Sequence, residues 1–149
     1  MRKALLTCLA SACLVAGCTP SYGLEGSIDE VLSLKYNQTR IRKQEPHLLI
    51  EYLLASAQGT EKICKIVVNT ADLSLPEGGD FDLSDDAFLE HVELQRTTFA
   101  NDSFPAIRQG EIRFDDIEFS TGKRAAGEFN ITFEDFSTLR GWFAGDIDD

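Results

Sequence analysis

The chain has 149 residues and a formal net charge of −11, enough length for one domain around a single core but not comfortably for two. The acidic balance excludes a nucleic-acid partner, whose phosphates demand a basic footprint. It suits a domain that faces a polyanionic surface without embracing it.

In chain order, the first element is an apolar run from Ala4 to Ala16 behind the cationic pair Arg2-Lys3. Its length is that of a signal-peptide core, short of the roughly 20 apolar residues a membrane-spanning helix needs. The run ends in Leu14-Val15-Ala16-Gly17-Cys18, which resembles the lipobox of bacterial lipoproteins. The resemblance implies that residues 1–17 are a cleaved signal peptide. It also implies that Cys18 carries a diacylglyceryl thioether and that the new amino group is acylated, palmitate being the usual chain. An ordinary secretory signal is the alternative, since Val15-Ala16-Gly17 also resembles a small-residue cleavage site. A free Cys18 at an exposed terminus would be an oxidation liability, which favours the lipid. Thr19 follows the cysteine, not the Asp that retains enteric lipoproteins in the inner membrane. The implied destination is therefore the outer membrane, with the domain facing the periplasm rather than the cell surface. Several acyl chains on one residue give the multi-chain anchoring that one chain cannot. Cleavage would remove two of the 14 basic residues and none of the 25 acidic ones, taking the charge from −11 to −13.

Cys8 and Cys13 leave with the signal and Cys18 takes the lipid, so Cys64 has no partner and no intramolecular disulfide is expected. Cys64 alternates with Ile66 and Val68 on one face of a β-branched run. A buried, inert core thiol is one reading; a reactive or cross-linking thiol in an oxidising compartment is the other.

Residues 18–23 form a lipidated tether; Thr19 to Gly23 reach at most roughly 17 Å when extended, so the domain rides close to the headgroups. Residues 24–149 read as strands with period-two alternation. Glu30 to Tyr36 places Leu32, Leu34 and Tyr36 on one face. Thr39 to Arg42 follows, closed by a turn at Glu45-Pro46. His47 to Ala55 is apolar almost throughout, as a central strand covered on both sides would be, and Glu61 to Asn69 is the next strand. Phe81 to Leu83 is a short strand, Asp85 to Glu90 a helical turn capped by Ser84 or Asp85, and His91 to Phe99 a strand. Gly110 to Phe119 changes parity at Asp115-Asp116, which predicts a bulge. The final hairpin runs Glu128 to Glu134, turns at Asp135-Phe136-Ser137, and returns with Leu139, Gly141 and Phe143 inward and Arg140 and Trp142 outward. All ten phenylalanines lie at or after Phe81, so the second half supplies the bulky core. Eight to ten short strands predict an all-β fold, an antiparallel, immunoglobulin-like β-sandwich.

The pattern Gly127-x-Phe129-x-x-x-Phe133 followed by Leu139-x-Gly141-x-Phe143 resembles the closing hairpin of small β-sandwich lipoproteins. The likeness covers the last 40 or so residues and brings no activity with it.

Four groups of residues carry candidate chemistry. Asp80, Asp82, Ser84 and Asp86 have the alternation with which calcium loops converge oxygens, although Asp85 and His91 stand where an EF-hand needs Gly and Glu. The other reading is a solvated acidic loop. Lys35, Arg40, Arg42 and Lys43 form a basic cluster, read either as a contact for lipid or lipopolysaccharide phosphates or an acidic partner, or as charges that protect an edge strand. Trp142 beside Arg140 has the composition of an interface hot spot, and is equally open to cover by a loop. His47 and His91 lack a partner motif. No nucleophile elbow, phosphate-binding loop or dinucleotide fingerprint occurs, so no enzyme and no cofactor are expected. The expected function is that of a membrane-anchored envelope lipoprotein with a binding or structural role through contact with another envelope protein. The alternative is a ligand-binding domain for calcium or a glycan.

Overall fold

A computed structural model describes residues 21–115 and 117–149; the signal segment, the lipobox and Cys18 lie outside the described residues, as does Asp116. The described chain is all-β with one short helix. Nine strands are β1 (Gly23–Glu25), β2 (Gln38–Gln44), β3 (His47–Ser56), β4 (Gly59–Asn69), β5 (Phe81–Ser84), β6 (Val92–Thr97), β7 (Ile107–Phe114), β8 (Arg124–Phe133) and β9 (Thr138–Asp148), with helix α1 at Asp85–His91. They form one curled, mixed sheet in the order β5-β7-β8-β9-β2-β3-β4-β6, with β1 added to β9. Every pairing is antiparallel except β2 on β9, a parallel contact at Ile41–Ile147 and Arg42–Asp148.

β9 is the hinge of this arrangement. Thr138 to Asp146 pair with β8, the stretch Arg140 to Trp142 also pairs with β1, and Ile147 and Asp148 cross to β2. The curl places the inward residues of β7, β8 and β9 (Phe114, Phe129, Phe133, Phe143) in one core with those of β3 and β4 (Ile50, Tyr52, Ile66, Val68). Bulky rings come from one half of the sheet and branched aliphatics from the other, as the distribution of phenylalanines predicts. Tyr52 sits where they meet, fully buried, with edge-on ring contacts to Tyr22, Tyr36 and Phe129 at 6.2, 5.1 and 6.3 Å.

The two ends of the strand path, β5 and β6, are consecutive in the chain and are joined by α1, which packs on β7, β5 and β6. The helix thus lies beside both edges, where unpaired backbone would otherwise invite another chain. Phe88 anchors it, fully buried, with its ring in the space left by Gly110 of β7; a Cβ at Gly110 would run into that ring. Ser84 holds the N-cap position in an extended conformation (φ −137°), but its side chain makes no capping bond.

Two predicted strands take a different form. Residues 30–36 do not pair; a 3-10 turn at Ser27–Glu30 leads into irregular chain. Local bonds replace the ladder there, since Leu32 N–H donates to Ile28 O at 2.8 Å and Leu34 N–H to Asp29 Oδ1 at 2.8 Å. Alternation still reports the buried side, because Leu32, Leu34 and Tyr36 all pack on the core. β7 ends at Phe114 instead of bulging on to Phe119. Ile117 leaves the ladder, its N–H donating to Gly79 O at 2.9 Å, and Ile117 and Phe119 bury as loop residues.

The strand ends sort into two poles. The β8–β9 and β3–β4 turns, the starts of β2 and β7 and the segment after β1 share one pole. The β2–β3 turn, the β7–β8 connection, the end of β9 and the incoming residues Ser21 and Tyr22 lie toward the other. Among the described residues no helix is long and apolar enough to cross a membrane.

Candidate functional site

Three places on the surface carry arranged polar chemistry. The largest is the outer face of the half-sheet β5-β7-β8-β9-β1. Because each strand turns alternate residues inward, the intervening ones form cross-strand rows. One row runs Ser84, Glu111, Asn130, Arg140, Glu25; the next runs Asp82, Arg113, Glu128, Trp142, Gly23. The first row floors an open trough of about 630 Å³ bounded by Asp85 at the start of α1 and Gly26 after β1. A second depression of about 460 Å³ continues it past Arg113 and Glu128. Asn130 Nδ2 donates to Glu111 Oε1 at 2.9 Å, while Arg140 lies 3.6 Å from Glu128 and 4.0 Å from Glu25. Exposed pairs this loose contribute at most about 1 kcal/mol, so these side chains are held near one another without being committed to each other.

Trp142 belongs to this face. Its indole is half-buried against Gly23 of β1, where any side chain would collide with the ring. β1 therefore covers one side of the tryptophan, and Arg140 stays exposed beside it.

The second place is the outer face of β2 and β3. Glu51 stands in the middle of the apolar run Leu48 to Leu54 and is fully buried. Arg40 and Arg42 both donate through Nε to its Oε2, at 2.5 and 3.1 Å. Burial pushes the Glu51 carboxyl up, but the hydrogen bonds and charges of Arg40 and Arg42 outweigh it and hold it below the ordinary glutamate value. Its other oxygen, Oε1, is buried with no hydrogen-bond partner among the described residues. Of the predicted basic cluster, Arg40 and Arg42 are thus brought together, Lys43 turns away to Glu45 at 2.6 Å, and Lys35 is exposed in the 31–37 segment. β2 lies between β9 and β3, and its pairing with β9 is confined to Ile41 and Arg42.

The third place is a structural knot. Arg96 of β6, 2% exposed, grips Asp102 with both arms, Nε to Oδ1 at 2.9 Å and Nη2 to Oδ2 at 3.1 Å. Its remaining nitrogen donates to Ser33 O and Ile63 O at 3.1 and 3.0 Å. Thr98 also donates to Asp102, whose carboxyl these bonds, the Arg96 bond first, hold below the usual aspartate value. One guanidinium ties the 31–37 segment, the irregular register of β4 and the 98–106 loop together.

The acidic stretch does not gather. Asp80, Asp82 and Ser84 lie along the extended approach to and length of β5, with Asp86 in α1. Same-face neighbours on a strand stand roughly 7 Å apart, too far for consecutive ones to wrap a cation. Among the described residues no three Asp, Glu, His or Cys side chains could hold a metal ion. His47 and His91 both come to Asn69, one as its register partner and the other with Nδ1 3.2 Å from its carbonyl oxygen. Cys64 is fully buried, and that burial pushes its thiol pKa well up.

Glu51, Arg96 and the two polar rows went unremarked in the sequence. Glu51 had a findable signal, being the one charge in an otherwise apolar strand opposite an Arg-Ile-Arg alternation. Compared with known proteins, the chain matches no family model, no curated protein and no solved structure.

Proposed function

We propose that this chain is a lipid-anchored envelope protein, tethered to the outer membrane through Cys18 and facing the periplasm, whose β-domain binds and does not catalyse. Its ligand is an extended polar chain of the glycan class, laid along the trough. The observation that carries this reading is the pair of cross-strand rows, in which planar carboxylate, amide and guanidinium groups stand in register beside one half-covered indole. Such groups offer paired donors and acceptors to vicinal hydroxyls. The fold reading that accompanies it is a β-sandwich of immunoglobulin-like kind. It is supported by the shared core between the β7–β9 and β3–β4 halves.

Calorimetric titration of the chain with soluble envelope glycan fragments tests the proposal. Binding that weakens about fivefold in Asn130→Ala and about tenfold in Arg140→Ala, from loss of hydrogen bonds of roughly 1 and 1.5 kcal/mol, is the expected result. Absence of binding across the fragments overturns it.

A protein partner is the second reading. Val31, Phe99 and Phe136 are 74%, 58% and 70% exposed, and all three lie on connections at the pole away from Ser21. Photo-cross-linking from position 136 in cells yields a discrete protein adduct on this reading, whereas the glycan reading gives none there.

A further inference from the structure

The cluster around Glu51 has two features that a simple surface ion pair lacks. First, Arg40 and Arg42 each spend Nε on the same carboxylate oxygen, and their terminal nitrogens make no bond to a described residue. Two guanidiniums are thereby fixed side by side with their forks unused, an arrangement suited to phosphate. Lys65, directly opposite Glu51 on β4, adds a third cation, and the carboxylates against the three are Glu51 and Asp148, the register partner of Arg42 on β9, so the patch stays positive in an otherwise acidic domain. Second, Glu51 Oε1 is a buried acceptor with no donor among the described residues. Such an atom is costly to leave empty, and a second phosphate oxygen cannot satisfy it. Only a group carrying N–H or O–H can.

We propose that Arg40, Arg42 and Glu51 form a receptor for a zwitterionic phosphate headgroup, with the phosphate on the guanidinium forks and a primary ammonium donating to the free oxygen of Glu51. The register partners of Glu51 across the strands are Arg40 and Lys65; Arg40 stays on Oε2, and the long Lys65 side chain moves to admit the ammonium. The membrane is the source of the headgroup. Cys18 lies three residues before Ser21, roughly 11 Å at full extension. Tyr22 packs against Gly145 beside Ile41, on the core side of β2, while Arg40 and Arg42 face outward from the same strand. The tether thus enters at the strand that carries the site, from its other face. The choice of source rests on the lipid-anchor reading, but the binding chemistry does not.

The test titrates the full chain, held in a phosphate-free detergent, with three soluble probes: glycerophosphoethanolamine, glycerophosphocholine and inorganic phosphate. Glycerophosphocholine has the phosphate and a positive charge but no N–H to give. The expected result is that glycerophosphoethanolamine binds about tenfold or more tighter than either other probe, the worth of one charge-assisted hydrogen bond. Glu51→Gln, checked for an unchanged melting profile, levels the ethanolamine and choline probes, and Arg42→Lys weakens both together. Equal competition by inorganic phosphate overturns the headgroup as source. A ratio unchanged in Glu51→Gln, with stability lost in Lys65→Met, shows that Lys65 satisfies Glu51 and overturns the receptor. No binding of any probe at about 10 mM, an affinity weaker than roughly 3 kcal/mol, overturns it as well. Mass analysis of Cys18 reads the anchor separately, so failure of the anchor and failure of the site are distinguishable.

Discussion

The hydroxyl of Tyr52 on β3 donates a 3.0 Å hydrogen bond to the main-chain carbonyl of Trp142 on β9, joining the two halves of the curled sheet through the core. The ring contributes apolar area to both halves, and its one polar atom finds its partner on the far side. Burial accordingly pushes the Tyr52 phenol pKa far up, so the group stays a donor at any physiological pH.

Tyr52→Phe keeps the ring and leaves the Trp142 carbonyl without this donor. The expected loss is about 1–2 kcal/mol, read as a lower urea midpoint with an unchanged slope. Tyr52→Ala opens a cavity as well and costs about 3–5 kcal/mol. Equal effects from the two variants would show that the hydrogen bond, and not the packing, carries the contact.

The Arg96–Asp102 grip makes stability depend on acid. Asp102 has a depressed pKa in the folded chain, so its contribution is complete above the ordinary aspartate value of 3.8 and is lost as pH falls through the lower folded value. Denaturant melts from pH 6 downward should show this loss in the wild type, and Asp102→Asn should remove that share of it. Arg96→Lys keeps the charge but cannot reach three partners at once, and about 3 kcal/mol is the expected cost.

Gly110 is required by the ring it accommodates. Gly110→Ala drives a methyl group into Phe88 and should cost about 1–3 kcal/mol as an overpacked contact. Phe88→Leu in the same chain should recover part of that loss, because the leucine vacates the space. A double variant no better than the single one would place the strain in the backbone of β7 instead.

Cys64 should be silent. With its thiol fully buried and its pKa raised, alkylation at pH 8, followed at the peptide containing residue 64, is expected only after unfolding in denaturant. Cys64→Ser buries a hydroxyl in place of the thiol and should destabilise by about 1–3 kcal/mol, whereas Cys64→Ala loses only packing.

The strands were legible where alternation and pairing coincide. β8 and β9 show a clean inward face, β3 shows the unbroken apolar run of a strand buried on both sides, and α1 shows its start in Ser84-Asp85-Asp86. Alternation alone was insufficient at Leu32, Leu34 and Tyr36, where the same sidedness comes from a turn whose amides bond to Ile28 and Asp29. At Ile117 the change of parity marked the end of β7, because a bulge and an exit from the ladder look alike from hydrophobic spacing. The polar rows were invisible for another reason. Glu25, Arg140, Asn130, Glu111 and Ser84 come from five strands, and only the register brings them side by side. Glu51 with Arg40 and Arg42 was half-legible, since the arginines are neighbours in sequence while their carboxylate arrives from the next strand.

The last strand of the chain is also the one that β1, β8 and β2 all require. Gly23 to Glu25 cannot find their ladder until residues 140–142 exist, and the two halves of the core cannot meet until Ile147 reaches Ile41. A polypeptide threaded through a narrow channel with its N-terminus leading would therefore emerge open and stay open until β9 cleared the exit. Loss of β9 would deprive both halves of their common wall.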